Sequence, residues 1–408
     1  MGKRGKFISV PQHDGSRFVC AAWATHHRIE KEIADHVFLG TEGSDEKGDV
    51  VALSRYDWDA DVLSEPKTDF PLEDGTPLRI AVHPGGDGAI ISFAESCSLF
   101  EWEEWDDDDI RSSKGRFELE LKLIPAIRQL GGLENVGPQN CLTFSCDGSF
   151  LATGGEDGHV RVFEWPTMDI VLDIPNAHKF VKDMDISLDS AFLSTTSDNS
   201  PCRIWDISAG SGLLMTLPYE EGENFGFCRF SRDGMKPFLF ISVTTKEQDG
   251  LVSVWDLATW RRLGAKKFLD EPITSMAISH HGKRLAIGSQ TGDISIIEVK
   301  KMEVHQRIRF AHLQSINYLE FSPNDKAILS LATDCSSRVS AVDLSHEWKE
   351  WQLYLVLALM VLVSMFLFYL LYEFGDSFWQ FPMGKDQPHR PPREALGYDD
   401  LVDYKTDL

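Results

Sequence analysis

Two histidine pairs, His26-His27 and His280-His281, are the side chains in this sequence most suited by type to hold a metal. Neighbours on a strand face opposite sides of the sheet and diverge in a turn, so neither pair offers two imidazoles to one ion. The seven cysteines, Cys20, Cys97, Cys141, Cys146, Cys202, Cys228 and Cys335, contain no Cys-x-x-Cys spacing. They read as small core residues of a reducing compartment, neither a zinc site nor a disulfide framework. There is no P-loop, no Gly-x-Ser-x-Gly elbow and no Gly-x-Gly-x-x-Gly opening a helix, and Gly154-Gly155 belongs to a hairpin. The expectation is a protein without catalytic residues, metal or cofactor, which works through its surfaces. The most concentrated surface signal is acidic: Glu101, Glu103, Glu104, Asp106, Asp107, Asp108 and Asp109 lie within nine residues. Such a run is either a solvated loop or a docking insertion for a basic partner.

The elements that would carry these residues recur along the chain. An alternating apolar strand leads to a turn of the type Ser-x-Asp-Gly, then a second strand, another turn and a third strand, most clearly over 141–165. Equivalent turns begin at Val82, Phe144, Ile186, Phe230, Ile278 and Phe321, and the last four intervals are 42, 44, 48 and 43 residues. That period is the length of a four-stranded propeller blade, and Trp205-Asp206 and Trp255-Asp256 stand where a WD signature closes the third strand. Asp147-Gly148, Asp157-Gly158, Asp233-Gly234 and Asp249-Gly250 supply residues able to take the positive φ of tight hairpins. The interval from Val82 to Phe144 is 62 residues and carries the acidic insertion, followed by an alternating run over 117–124 suited to an outer strand. Residues 21–57 read as one further blade. The fold expected is all-β, a seven-bladed WD-repeat propeller, with 7–10 as the strand that closes the ring against the last blade.

Beyond the propeller, 351–372 contains no charged residue. Those 22 residues reach about 33 Å as a helix, enough to cross a hydrocarbon core of about 30 Å. Trp348, Trp351, Tyr354, Tyr369, Tyr372 and Trp379 flank the stretch as interfacial aromatics do. The organisation expected is a cytosolic propeller over 1–345, a short linker over 346–350, a transmembrane helix over 351–372 and a short lumenal tail over 373–408. Orientation rests on the free thiols, on the absence of Asn-x-Ser/Thr acceptors ahead of the span, and on a start with no apolar signal region. The formal net charge of −24 repels nucleic acid, so no DNA or RNA partner is expected.

In its order of parts the chain resembles the endoplasmic-reticulum exchange factors that load GTP onto the small GTPase initiating COPII coats. Within that family it looks most like the plant branch known as phosphate transporter traffic facilitator. The likeness is carried by FVCAAWA at 18–24, by FSCDGSFLATGGEDGHVRVFEWPTMDI at 144–170 and by the position of the span. It implies a long, glycine-rich loop in the first blade, ending in a run like Gly-Ile-Pro-Asn, that holds potassium and pushes on the GTPase. At the matching place this sequence keeps Gly40, Gly43 and Gly48, but has Glu42, Asp45, Glu46, Lys47 and Asp49 in a shorter loop, without the asparagines, isoleucine and proline. Gly40, Glu42, Gly43, Lys47, Gly48 and Asp49 therefore mark a degenerate exchange-loop position that reads as an ordinary hairpin turn.

Three functions follow as alternatives. The first is an accessory factor in the endoplasmic-reticulum membrane, not an enzyme, which promotes exit of membrane cargo, by resemblance phosphate transporters, toward the plasma membrane. The second is a working exchange factor for the COPII-initiating GTPase. The third is a membrane-tethered scaffold unrelated to secretion.

Overall fold

The computed structural model describes residues 17–24, 36–43, 48–58, 62–64, 68–102, 123–126, 130, 132–208, 212–234, 237–343 and 350–374. Seven antiparallel sheets follow one another along the chain, spanning 17–71, 79–125, 141–174, 183–217, 224–269, 273–308 and 316–341. In six of them spatial order follows sequence order, and in the first the last two short strands both pair with the third; each sheet forms one blade. The seven-bladed propeller expected from the repeat period is the observed fold.

Seven apolar clusters explain why the blades assemble, because each joins two neighbours. Phe38 and Val51 of the first blade pack with Ile91 and Trp102 of the second. Val162 and Leu172 of the third pack with Ile186 and Trp205 of the fourth. Phe18, Trp23 and Leu39 of the first meet Leu329, Leu331 and Val339 of the seventh, which closes the ring. Burying a Leu or Phe side chain contributes about 1.5–3 kcal/mol, and here that contribution is made between blades. A blade taken alone would expose both faces.

The repeated serine turn is built from its own side chains. Ser145 donates its hydroxyl to Asp147 Oδ1 at 2.5 Å and accepts the Phe150 N–H at 2.9 Å, while Asp147 Oδ1 also takes the Ser149 N–H at 3.1 Å. Ser187, Asp189 and Phe192 repeat the arrangement, as do Ser322, Asn324 and Ala327. Local bonding of this kind offers the backbone a turn in place of a continued strand.

Two sequence expectations differ from what is observed, and a third falls outside the described residues. Of the four Asp-Gly pairs, Gly148 and Gly158 take positive φ, whereas at the fourth pair Gln248 does so at 68° and Gly250 opens the strand Gly250–Asp256. Gly234 is not among the positive-φ residues. The first blade extends beyond 21–57, since Val62–Leu63 and Thr68–Pro71 both pair with Val50–Asp57. An outer strand in two short pieces lacks the alternation by which a strand is read. The seventh blade has three strands among the described residues, and the closing segment proposed at 7–10 lies outside them.

The second compact unit contains helix α1, Glu350–Phe374. Its 25 residues reach about 37 Å. From Tyr354 to Leu371 its side chains are exposed at every position but Leu370, with Val361 at 58% and Phe368 at 73%. Apolar surface on all sides has no favourable setting in water, and the helix is long enough to cross a bilayer.

Candidate interaction sites at the first blade and the channel

Gly40 lies mid-strand in His36–Glu42, paired with Cys20 on one side and Val51 on the other. A Cβ there would stand 2.3 Å from Cys20 Sγ and 3.0 Å from Pro77 Cγ, so close packing requires glycine. Glu42 ends the strand, exposed, opposite Arg17. Asp49 is turned into the protein. Its Oδ1 accepts the Gly43 N–H at 2.8 Å, its Oδ2 accepts the Thr76 hydroxyl at 3.1 Å, and its carbonyl accepts the Leu72 N–H at 3.0 Å. Both ends of the loop are thus tied together and to the segment leading into the second blade. Gly48 stands in open space. Lys47, with residues 44–46, lies outside the described residues.

Of the acidic insertion, Glu101 belongs to the strand Cys97–Trp102, where it pairs with Gly88 and Ile124 and is exposed. Its neighbour Trp102 is buried and stacks on Phe38 of the first blade, with ring centroids 5.4 Å apart. Glu103, Glu104, Asp106, Asp107 and Asp108 lie outside the described residues. Of the run at 117–124, Leu123 and Ile124 fall in the outer strand Leu123–Pro125.

Buried polar networks join strands elsewhere in the propeller. Trp205 Nε1 donates to Thr195 Oγ1 at 2.8 Å, and the same hydroxyl lies 2.8 Å from His178 Nε2. His312 stands between the hydroxyls of Ser330, at 2.7 Å, and Ser336, at 2.6 Å. Burial lowers both imidazoles to about 4, with Arg203 adding to the fall at His178. They are therefore neutral bonding groups at pH 7. His280 and His281 sit in a turn, as read, and both N–H groups donate to the Asp325 carboxylate at 2.8 and 2.9 Å. All seven cysteines are free, and burial pushes the Cys20, Cys97 and Cys141 thiols up to about 12.

Sequence reading did not single out the channel around which the blades stand. A cavity of about 420 Å³ is lined by residues of the innermost strands, among them Arg79, Asp183, Asp185, Arg229, Tyr318 and Glu320. Asp183 Oδ2 accepts from Arg229 Nη1 at 2.5 Å and from the Cys228 N–H at 2.9 Å. Asp185 accepts from Arg232 Nη2 at 2.8 Å and from the Phe230 N–H at 2.7 Å. Glu320 Oε2 accepts the Trp23 N–H at 3.0 Å and the Tyr318 hydroxyl at 3.1 Å, and burial raises its carboxyl to about 7. The available signal was the charge carried by first strands, as in Asp-Met-Asp-Ile at 183–186, where an otherwise buried strand has no need of it.

Comparison with known proteins agrees with this architecture. A family model described as WD domain, G-beta repeat, matches residues 133–164. SEC12-like protein 1 of Arabidopsis thaliana is 38% identical over 401 residues, which cover 96% of this chain and 95% of that protein. SEC12-like protein 2 of the same organism is 34% identical over 304 residues, 74% of each chain. The guanine nucleotide-exchange factor SEC12 of Mus musculus is 22% identical over 278 residues, 61% of this chain and 65% of its own.

Proposed function

The chain belongs to the SEC12-like family, and from that premise we propose that it is an accessory factor of the endoplasmic-reticulum membrane that promotes export of membrane cargo by protein contact. In this reading the propeller is cytosolic, α1 is the anchor and the residues beyond α1 are lumenal. The domain limits are those read from the sequence, 1–345, 346–350, 351–372 and 373–408. The cargo is a membrane protein bound for the plasma membrane, phosphate transporters being the class that the resemblance suggests. Anchoring supplies the mechanism. A propeller confined to the membrane surface meets the cytosolic loops of other membrane proteins at high effective concentration, so modest contacts suffice.

The observation that carries the non-catalytic part is the closed base of the first-blade loop. Asp49, the carboxylate at the C-terminal base of the loop, is consumed by Gly43 and Thr76. Gly40 is a packing glycine within a strand and not a loop hinge. These features, with the missing Gly-Ile-Pro-Asn run, support a hairpin in place of an ion-holding wedge. The surfaces proposed for contact are the loop at Glu42, Lys47 and Gly48 and the insertion after Glu101. The COPII-initiating GTPase is a further partner in this reading, bound without being turned over.

The deciding experiment is nucleotide exchange on that GTPase by the full chain in lipid nanodiscs, in potassium buffer, beside the mouse exchange factor. A flat trace together with retention of cargo in the endoplasmic reticulum when the protein is removed is the expected result. Acceleration equal to the control overturns the accessory reading and makes the chain a GTPase activator, the reading favoured by its similarity to the rodent exchange factors.

A further inference from the structure

The charge inside the channel runs against the charge of the whole. The chain carries a formal −24, yet the cavity lining includes Arg79, Lys182, Arg229 and Arg232 against Asp183, Asp185 and Glu320. Pairing removes most of these from play. Arg232 is held by Asp185, Arg229 by Asp183, and Lys182 Nζ by Asp198 at 2.5 Å. Arg79 is left over. Its Nε donates to the Asn140 carbonyl at 3.0 Å and its guanidinium lies 5.3 Å from the Tyr318 ring centroid. Among the described residues no carboxylate pairs with it, and its two Nη groups donate to none of them. Arg229 is similar in part, because among the described residues Nη1 alone reaches acceptors, Asp183 and the Cys228 carbonyl.

The two arginines line the same cavity as Tyr318 and Cys141. Burial raises the Tyr318 hydroxyl well above its ordinary range and Glu320 adds to the rise, while Arg79 and Arg229 both pull against it. At Cys141 burial is again the main cause and Asp183 adds, and the same two arginines pull against it. A half-buried cation with unused donors, lining one cavity with a second, is unfavourable until an acceptor satisfies it. Planar guanidinium forks match carboxylate and phosphate oxygens. A cavity of about 420 Å³ is within the size range of small-molecule sites. The acidic exterior disfavours extended polyanions and leaves small ones as the class that fits.

We propose that the channel is a binding site for a small oxyanion, a carboxylate or phosphate compound held between Arg79 and Arg229 beside Tyr318. The site is coupled by sequence to the first-blade loop: Arg79 is three residues beyond Thr76, whose hydroxyl is bonded to Asp49. Neither the GTPase nor cargo enters this argument, so its test is independent of the proposed function.

The test is thermal unfolding of the full chain in detergent at constant ionic strength, titrated with inorganic phosphate and separately with citrate, with chloride as the control. The expected result is a midpoint that rises and saturates with at least one of the two, with apparent affinity at least tenfold weaker in Arg79→Gln. The arm that saturates at lower concentration identifies the oxyanion as phosphate or carboxylate. Excluded salts stabilise proteins without saturation, so a linear rise equal in wild type and variant overturns the proposal, as does no rise at all. If Arg79→Gln does not fold, Arg79→Lys keeps the charge and loses the fork, and unchanged affinity in that variant also overturns it.

Discussion

Glu320 on the first strand of the seventh blade accepts the backbone N–H of Trp23 on the first blade, 3.0 Å away, and its own carbonyl accepts the Trp23 indole N–H at 3.4 Å. One residue pair therefore closes the ring with both a side-chain and a main-chain bond. The carboxyl that does so is raised by burial to about 7, against an ordinary 4.5.

The sign of its pH dependence follows. The folded form holds its proton more tightly than the unfolded form, so the contribution is full below pH 4.5 and is lost as pH rises through 7. Glu320→Gln, which keeps an oxygen for Trp23 and needs no proton, should stabilise the propeller at pH 8 by on the order of 2 kcal/mol and leave it little changed at pH 4.5. Unfolding midpoints of wild type and variant at the two pH values check this, and an equal shift at both would refute the assignment.

His178 and His312 act in the opposite direction. Both are lowered by burial to about 4, so the unfolded chain takes up their protons first. Their contribution is present above about 6.5 and is lost as pH falls toward 4. Denaturant titrations across that window should show His312→Gln with a slope shallower than wild type by about one proton, whatever its absolute stability.

Glycines at the first-blade loop should separate cleanly. Gly40→Ala places a methyl against Cys20 and Pro77 and should cost about 1–3 kcal/mol, part of it recovered when Cys20→Ala is added. Gly48→Ala meets nothing within 4 Å and should stay within about 0.5 kcal/mol of wild type. Chemical denaturation of the three variants measures both differences. Equal effects at the two glycines would mean that the loop, not the strand packing, sets the requirement.

Asp49→Ala removes the acceptor for Gly43 and Thr76 together. A loss of about 1–3 kcal/mol is expected, with faster proteolytic cleavage between 43 and 49. Asp49→Asn, which keeps one carbonyl acceptor, should fall between the variant and wild type in both assays.

The sequence by itself determined the repeat, the blade count and an apolar helix long enough to cross a membrane. These depend on local information: strand alternation, serine turns at a fixed interval, and an unbroken apolar run whose length is set by bilayer thickness. It located the first-blade loop and the acidic insertion as positions but not as geometry. That Asp49 faces Thr76, 27 residues away, and that Gly40 packs on Pro77 are consequences of blade docking, which no local pattern records. The split outer strand of the first blade was invisible because two short pieces lack a period. The channel belongs wholly to tertiary structure. Arg79, Asp183, Arg229 and Glu320 come from blades two, four, five and seven, and in sequence each is one charge in a strand with nothing to show that the others face it. Only closure of the ring brings them to one cavity, where burial raises the Glu320 carboxyl and no carboxylate among the described residues pairs with Arg79.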